Sequence, residues 1–164
     1  MIFNNKKQTT KIAIVMGSQS DYTVMKDCEK ILKILKIKFE TKIVSAHRTP
    51  DRMFDFAKTA VKNKFSVIVA GAGGSAHLPG MIASMTILPV IGVPIESKKL
   101  KGLDSLLSVC QMPSGVPVAT VAIDGAFNAG LLAASIVSIF DSKARSNLNR
   151  WKKTQTNSVK KRPK

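Results

Sequence analysis

The sequence predicts an α/β fold with three layers, in which a five-stranded parallel sheet carries helices on both faces. Short apolar runs alternate with segments of helical periodicity five times along the 164 residues, which is the pattern that βαβ units produce. The apolar runs are continuous rather than alternating, as expected of strands that are buried on both faces. A chain of this length suits one domain with one sizeable core.

In the first half of the chain, three apolar runs are each followed by a helical pattern. The predicted strands cover residues 11–16, 39–45 and 65–70. The predicted helices cover residues 24–35, 50–61 and 78–85. Pro50 opens the second helix, because proline is favoured in a first helical turn. The glycine-rich residues 71–74 are expected to end the third strand.

The second half repeats this alternation twice and adds one helix. The predicted strands cover residues 88–93 and 118–123. The predicted helices cover residues 103–109 and 126–140, and a separate basic helix covers about 143–155. We therefore predict a polar N-terminal segment at residues 1–10, a single domain at residues 11–156 and a basic tail at residues 157–164.

The formal net charge of +16 makes nucleic-acid binding a hypothesis to consider. The excess is concentrated at the ends, since residues 143–164 contain nine Lys or Arg and no acid, whereas residues 12–142 carry only +4. Phe3 and Trp151 are the only aromatic residues of the terminal segments, so bases would find no interleaved stacking platform. We expect a solvated basic tail and no nucleic-acid partner, and the mildly basic body suits a phosphorylated small molecule.

No apolar run is long enough to span a membrane, and the polar first ten residues lack the apolar stretch of a secretory signal. We therefore expect a cytoplasmic protein with no membrane partner. The two cysteines, Cys28 and Cys110, do not suggest a disulfide framework and are expected to be reduced core thiols. Neither has the close spacing to a histidine of a zinc site, so no metal site is expected.

The fold class indicates where a ligand should bind. In open parallel sheets, ligands bind outside the carboxyl ends of the strands, so the loops after the predicted strands are the candidates. The first loop contains Ser18, Ser20 and Asp21 beside a helix N-terminus, where free backbone N–H groups favour an anion. The Asp21 carboxylate would suit the hydroxyl groups of a ribose. The same residue types also form ordinary capping loops.

The second and third loops contain the two histidines of the chain. His47 can both donate and accept a proton near neutral pH, and the guanidinium of Arg48 matches the geometry of phosphate or carboxylate. The third loop has three glycines at residues 71–74, which would let the backbone approach a ligand closely. Taken alone, His47 is equally compatible with a structural and a catalytic role, and His77 favours a structural one.

Together these loops resemble one family. The motifs are Met-Gly-Ser-Gln-Ser-Asp, Ser-Ala-His-Arg-Thr-Pro and Gly-Ala-Gly-Gly-Ser-Ala-His-Leu-Pro-Gly-Met at residues 16–21, 45–50 and 71–81. Further matches are Gln-Met-Pro-Ser-Gly and Asn-Ala-Gly-Leu-Leu-Ala-Ala at residues 111–115 and 128–134. Over residues 11–156 the chain is similar to the bacterial PurE family, the N5-carboxyaminoimidazole ribonucleotide mutases. The resemblance implies flavodoxin-like subunits assembled as homo-octamers.

The resemblance implies an isomerase of de novo purine biosynthesis. Such an enzyme converts N5-carboxyaminoimidazole ribonucleotide to 4-carboxy-5-aminoimidazole ribonucleotide, with no metal, ATP or organic cofactor. A carbamate loses carbon dioxide once its nitrogen is protonated. Ring carbon C4 then attacks the trapped carbon dioxide, and the C4 proton is removed. One group that first donates and later accepts a proton suffices, and His47 fits that role.

The resemblance also implies the residues that bind the ribonucleotide substrate. Ser18 and Asp21 would hold the ribose and phosphate region, with Ser20 at the start of the helix, and Arg48 would bind the phosphate. The residues that would surround the base and the carboxylate are Ser45, Ala72, Gly73, Gly74, His77 and Leu78.

Two alternatives to the mutase follow from the same residues. A related subclass carboxylates aminoimidazole ribonucleotide directly; its members carry Lys in place of Arg48 and lack the pattern of residues 73–79, so the mutase is favoured. A non-enzymatic nucleotide- or nucleic-acid-binding module is the alternative from another class. Residues 123–128 depart from the family, many of whose members have a slightly longer Gly-Lys-Ala-Gly-type loop there. The resemblance implies N5-carboxyaminoimidazole ribonucleotide synthetase as the pathway neighbour.

Overall fold

The computed structural model describes residues 10–162, so residues 1–9 of the predicted N-terminal segment and residues 163–164 of the predicted tail lie outside it. The strands are β1 (Lys11–Met16), β2 (Lys38–Ile43), β3 (Val67–Gly73), β4 (Val90–Ile95) and β5 (Ala119–Thr120). The helices are α1 (Tyr22–Ile34), α2 (Pro50–Thr59), α3 (Leu78–Ala83), α4 (Leu103–Cys110), α5 (Ala126–Val137) and α6 (Ser142–Ser158). A single 3-10 turn, Gln19–Asp21, precedes α1.

The five strands form one parallel sheet in the order β2-β1-β3-β4-β5. The predicted three-layer α/β fold is therefore confirmed. The chain passes from β1 to the edge strand β2 and then returns to the other side of β1, so the strand order reverses between β1 and β3. In sheets of this order, the crevice at that reversal is where ligands bind.

Alternate residues of the central strands pack against opposite helical layers. On β3, Val67 and Val69 face the layer formed by α1, α5 and α6, whereas Ile68 and Ala70 face the layer formed by α2, α3 and α4. All four side chains are fully buried. This burial on both faces is the physical reason why the sequence of β3 is continuously apolar.

Strand β3 extends three residues beyond its predicted end. Residues 71–73 were expected to break the strand, but they pair in register with residues 93–95 of β4. At Gly71 a Cβ atom would lie 2.4 Å from Met25 Sδ, so the glycine here allows α1 to pack closely on the strand. The turn begins one residue after the strand, at Gly74, where φ is +67°.

Strand β5 is shorter than the predicted residues 118–123. It lies at the edge of the sheet, and regular pairing stops after Thr120. Beyond that point Val121 N–H donates to the Gly92 carbonyl (3.2 Å) and Asp124 N–H to the Pro94 carbonyl (2.8 Å). Between these two hydrogen bonds the segment moves on by three residues and β4 by only two. This mismatch breaks the regular register of a parallel ladder.

The final helix, α6, is longer than the predicted residues 143–155. Asp141 caps its N-terminus, since the carboxylate accepts the N–H of Ala144 at 3.0 Å. Leu148 is buried, and the ring centroid of Trp151 lies 6.0 Å from that of Phe127 on α5. No Pro or Gly occurs between Trp151 and the end of the helix at Ser158. Residues 157 and 158, assigned to the tail from sequence, are consequently helical.

The two cysteines have different environments, and both are free thiols. Cys28 is buried on α1, and burial raises the pKa of its thiol to about 12, so it remains protonated at neutral pH. Cys110 is exposed, and the expectation that it is a core thiol is wrong. The buried face of α4 carries Ser105 and Val109, and Cys110 ends the helix outside that face. Within residues 10–162, no helix is both long and apolar enough to cross a membrane.

Candidate active site

A cleft of about 330 Å³ lies at the carboxyl ends of the first four strands, at the point where the strand order reverses. It brings together the three loops that the sequence singled out, although they are separated by tens of residues along the chain. Ten of the eleven predicted site residues line it: Ser18, Ser20, Asp21, Ser45, His47, Arg48, Ala72, Gly73, Gly74 and Leu78. The eleventh, His77, contacts His47.

The first wall of the cleft is the turn that follows β1. The Asp21 carboxylate accepts the backbone N–H of Ser18 at 2.9 Å and, through its other oxygen, the Ser20 hydroxyl at 3.4 Å. The hydroxyl oxygens of Ser18 and Ser20 are 2.6 Å apart. A carboxylate has about four lone-pair positions, so Asp21 can hold this turn and still accept hydrogen bonds from a ligand hydroxyl.

Arg48 connects the first and second loops. Its Nη2 donates to the Gly17 carbonyl at 2.8 Å, and its Nε donates to Ser45 Oγ at 3.4 Å. Ser45 Oγ also accepts the backbone N–H of Arg48 at 3.2 Å. A guanidinium has five N–H donors, and its bonds to Gly17 and Ser45 use two of them. The arginine is thus held in place by protein contacts with donors to spare for an anionic ligand.

The two histidines contact each other directly. His47 Nε2 lies 2.9 Å from His77 Nδ1, and the rings meet edge to face, with centroids 5.0 Å apart and an interplanar angle of 88°. Because a hydrogen bond between two imidazoles needs one protonated and one unprotonated nitrogen, the state of one ring constrains the tautomer of the other. Both side chains are exposed, so His47 can reach solvent or a ligand in the cleft.

Another wall of the cleft is the glycine-rich segment at the end of β3. Gly74 N–H does not face a ladder partner but donates to Ser105 Oγ on α4 at 2.8 Å. The Ser105 hydroxyl in turn donates to the Ile95 carbonyl at 2.6 Å. Leu78, the first residue of α3, is buried beneath this segment. The glycines were expected to let the backbone approach a ligand closely, but the Gly74 N–H is already used by Ser105.

Six further lining residues were not predicted: Gly17, Ala46, Ser75, Ile95, Glu96 and Ser97. Three of them lie inside the motifs already identified. The other three are the last residue of β4 and the two residues that follow it, a position that the strand-end rule indicates but that no motif marks. Glu96 N–H donates to Asp124 Oδ1 at 2.9 Å, so the loop that departs from the family pattern supports this wall.

The charged side chains that line the cleft are Arg48, Asp21 and Glu96. Behind the β4 wall, the Ser97 hydroxyl donates to Asp104 Oδ1 at 2.7 Å, and the backbone N–H of Ser105 donates to the same oxygen at 2.9 Å. These two hydrogen bonds hold the pKa of the Asp104 carboxyl below its usual range, so it is an anion at neutral pH. Among residues 10–162, no three His, Cys, Asp or Glu side chains cluster as metal ligands would.

Comparison with known proteins places this chain in a family. The family model described as AIR carboxylase matches residues 11–158. The chain belongs to the AIR carboxylase family. Its relatives include the N5-carboxyaminoimidazole ribonucleotide mutase of Brucella melitensis, which is 56% identical over 154 residues, covering 93% of this chain and 95% of that protein. The mutase of Escherichia coli K12 is 49% identical over 162 residues, covering 98% of this chain and 96% of that protein.

The fold of this AIR carboxylase family member matches that of a solved structure. The crystal structure of Treponema denticola PurE superposes with a TM-score of 0.81 at 28% identity, covering 90% of this chain and 92% of that one. The resemblance to the PurE family and the flavodoxin-like arrangement inferred from sequence are therefore both confirmed.

Proposed function

We propose that this chain is an N5-carboxyaminoimidazole ribonucleotide mutase, an isomerase that moves a carboxylate from the exocyclic nitrogen to ring carbon C4. The observation that carries the proposal is the meeting of His47, Arg48 and the glycine-rich segment in one cleft at the reversal of strand order. The names and high identities of the curated relatives support the same activity.

His47 is the proton-transfer residue of this mechanism. Its imidazolium gives a proton to the carbamate nitrogen, the N–C bond breaks, and carbon dioxide and aminoimidazole ribonucleotide form. Ring carbon C4 attacks the carbon dioxide, which forms the new C–C bond, and neutral His47 then removes the C4 proton. The same group donates first and accepts later, so the protein ends each turnover in its starting state. Holding carbon dioxide beside C4 supplies the proximity that free solution lacks.

His77 supports this proton transfer. Its Nδ1 is 2.9 Å from His47 Nε2, so the pair restricts the rotation and the tautomer of the His47 ring. His77 does not line the cleft itself. We therefore assign it a positioning role beside His47.

The ribonucleotide is bound by the three loops. Arg48 receives the phosphate, because a guanidinium already anchored by Gly17 and Ser45 presents its remaining donors at little entropic cost. Ser18 and Asp21 hold the ribose and phosphate region, with Ser20 at the start of the helix. The residues that surround the base and the carboxylate are Ser45, Ala72, Gly73, Gly74 and Leu78.

The activity is tested directly with the purified chain. We expect it to convert N5-carboxyaminoimidazole ribonucleotide, labelled with ¹³C at its carboxylate, to the 4-carboxy isomer without ATP or added bicarbonate. The measurement is ¹³C NMR, which separates a carbamate carbon from a ring carboxylate. A parallel reaction contains aminoimidazole ribonucleotide and labelled bicarbonate.

Each outcome of that assay distinguishes one function. Faster carboxylation of aminoimidazole ribonucleotide than isomerisation of the carbamate would contradict the mutase and indicate the direct carboxylase. Absence of both reactions, with retained binding of a nucleotide or RNA, would indicate the non-enzymatic module and overturn the enzyme.

We also propose that the chain acts in the cytoplasm as a homo-octamer, next in its pathway to N5-carboxyaminoimidazole ribonucleotide synthetase. Leu103 and Leu107 lie one helical turn apart on α4 and are 53% and 47% exposed. Together with Leu100, 58% exposed, they form an apolar patch of the kind that self-associating proteins cover.

An octamer has a mass of about 142 kDa, which is eight times the 17.7 kDa of one chain. We expect light scattering after size exclusion to give this mass, and Leu107→Glu to reduce it because a charge would be buried in the contact. Lys62→Glu, a charge change at an exposed position away from α4, is the matched control. A monomeric or dimeric mass for the unmodified chain would overturn the octamer.

A further inference from the structure

Ser105 is a polar residue buried behind the cleft. It lies on α4, its exposure is 0%, and it does not line the cleft. Its Oγ donates to the Ile95 carbonyl at 2.6 Å and accepts the Gly74 N–H at 2.8 Å. A single hydroxyl thus joins the last residue of β4 to the residue that follows β3.

The position of this bridge is significant because regular pairing between β3 and β4 ends one step earlier. The last pair of the ladder is Gly73 with Ile95, and at Gly74 the chain turns with φ at +67°. The Gly74 N–H therefore has no strand partner to accept it. Ser105 supplies that acceptor to a part-buried N–H, and loss of the hydrogen bond would cost free energy.

The Ser105 bond also determines how the peptide between Gly73 and Gly74 is oriented. In a trans peptide the N–H and the C=O point in opposite directions. With the Gly74 N–H directed at Ser105, the Gly73 carbonyl is directed away from it. A glycine pair can rotate this peptide more freely than other residues, so the orientation depends on the hydroxyl that holds it.

Asp104, the neighbouring residue on α4, anchors the wall of the cleft that follows β4. Asp104 Oδ1 accepts the Ser97 hydroxyl at 2.7 Å, and Ser97 lines the cleft. The N-terminal turn of α4 therefore anchors both the glycine-rich segment and the end of β4. Substitution of Ser105 would therefore affect the glycine-rich segment, whereas the hydrogen bond between Ser97 and Asp104 would remain.

We propose that Ser105 is a positioning residue for the carboxylate transfer, which fixes the Gly73–Gly74 peptide so that this wall keeps carbon dioxide beside ring carbon C4. The inference rests on the proposed mutase function. Between the two steps of that mechanism the carbon atom is bonded neither to the nitrogen nor to C4. If the wall loosens, carbon dioxide escapes and aminoimidazole ribonucleotide is released in place of the isomer.

The test compares Ser105→Ala with Ser108→Ala. Ser108 is on the same helix, and its hydroxyl donates only along the helix, to the Asp104 carbonyl at 2.8 Å. For Ser105→Ala we expect kcat to fall by about ten-fold or more and KM to change little, because Arg48 and the first loop are intact. We also expect a larger fraction of the consumed substrate to appear as aminoimidazole ribonucleotide, measured by chromatography after subtraction of breakdown without enzyme.

Further measurements separate positioning from loss of folding. Urea unfolding determines the folded fraction of each variant, and Ser105→Cys, which keeps a weak hydrogen-bonding sulfur, should restore part of the partition toward the isomer. Equal kcat, KM and product partition in Ser105→Ala and Ser108→Ala would overturn the proposal, as would a rate loss matched by the unfolded fraction with unchanged partition. Inactivity of the unmodified chain would instead overturn the proposed function, and this inference with it.

Discussion

His47→Asn is expected to lower kcat for the isomerisation by about 100- to 10,000-fold, the usual effect of losing a general acid–base group. The imidazole is the one group in the mechanism that both protonates the carbamate nitrogen and deprotonates C4. An asparagine amide can still form a hydrogen bond with His77, which lies 2.9 Å from His47 Nε2, but it cannot carry the proton. The measurement is single-turnover conversion of the ¹³C-labelled carbamate.

Two controls distinguish this catalytic loss from a loss of binding or folding. Product binding, measured by calorimetry, should change little in His47→Asn because the proposed phosphate contact belongs to Arg48. Thermal unfolding should also be nearly unchanged, since His47 is exposed and surface substitutions usually shift stability by no more than about 0.5 kcal/mol. Retention of substantial turnover would exclude His47 as the proton-transfer residue.

Arg48→Met is expected to raise KM by about 10- to 100-fold with a smaller change in kcat. A hydrogen bond to a charged group contributes about 1.5–3 kcal/mol, and the phosphate is remote from the bonds that break and form, so the loss falls mainly on binding. Arg48→Lys should give an intermediate KM, because it keeps the charge but loses the planar fork that reaches both Gly17 and the ligand. Steady-state kinetics with the carbamate substrate measure both values.

Arg52 provides a matched control for Arg48. It lies four residues after Arg48, near the start of α2, it is exposed, and it lines a separate groove between β2 and α2 rather than the cleft. Arg52→Met removes the same charge from a neighbouring position outside the cleft and should leave KM unchanged. An equal rise in KM in the two variants would show that the effect is general electrostatics, and would contradict a phosphate site at Arg48.

The order and type of the elements could be predicted because their signals are local. The apolar run of β1 and the helical spacing of Met25, Cys28 and Ile31 each reflect burial within a few residues of chain. The errors occurred where distant residues decide the outcome. Strand β3 continues through Gly71 because β4 pairs with it, and Cys110 is exposed because of how α4 is rotated against the sheet.

The candidate site also has one part that local sequence signals predicted and one part that depends on distant residues. The strand-end rule and three contiguous motifs indicated the loops that line the cleft, since each motif is a run of neighbouring residues. The β4 wall at Glu96 and Ser97 carries no such run. No motif could indicate the role of Ser105, because its hydrogen-bond partners Gly74 and Ile95 are 31 and 10 residues away along the chain.

The sequence by itself determined the alternation of strands and helices, the family, and the residue types at the ends of β1, β2 and β3, because periodicity and contiguous motifs are properties of short segments. Only the tertiary structure decided that His77 meets His47, that Arg48 bridges to Gly17, and that the hydroxyl of Ser105 holds Gly74. Each of these contacts joins atoms from different strand ends, and it exists because parallel strands in register bring their carboxyl ends to one edge of the sheet.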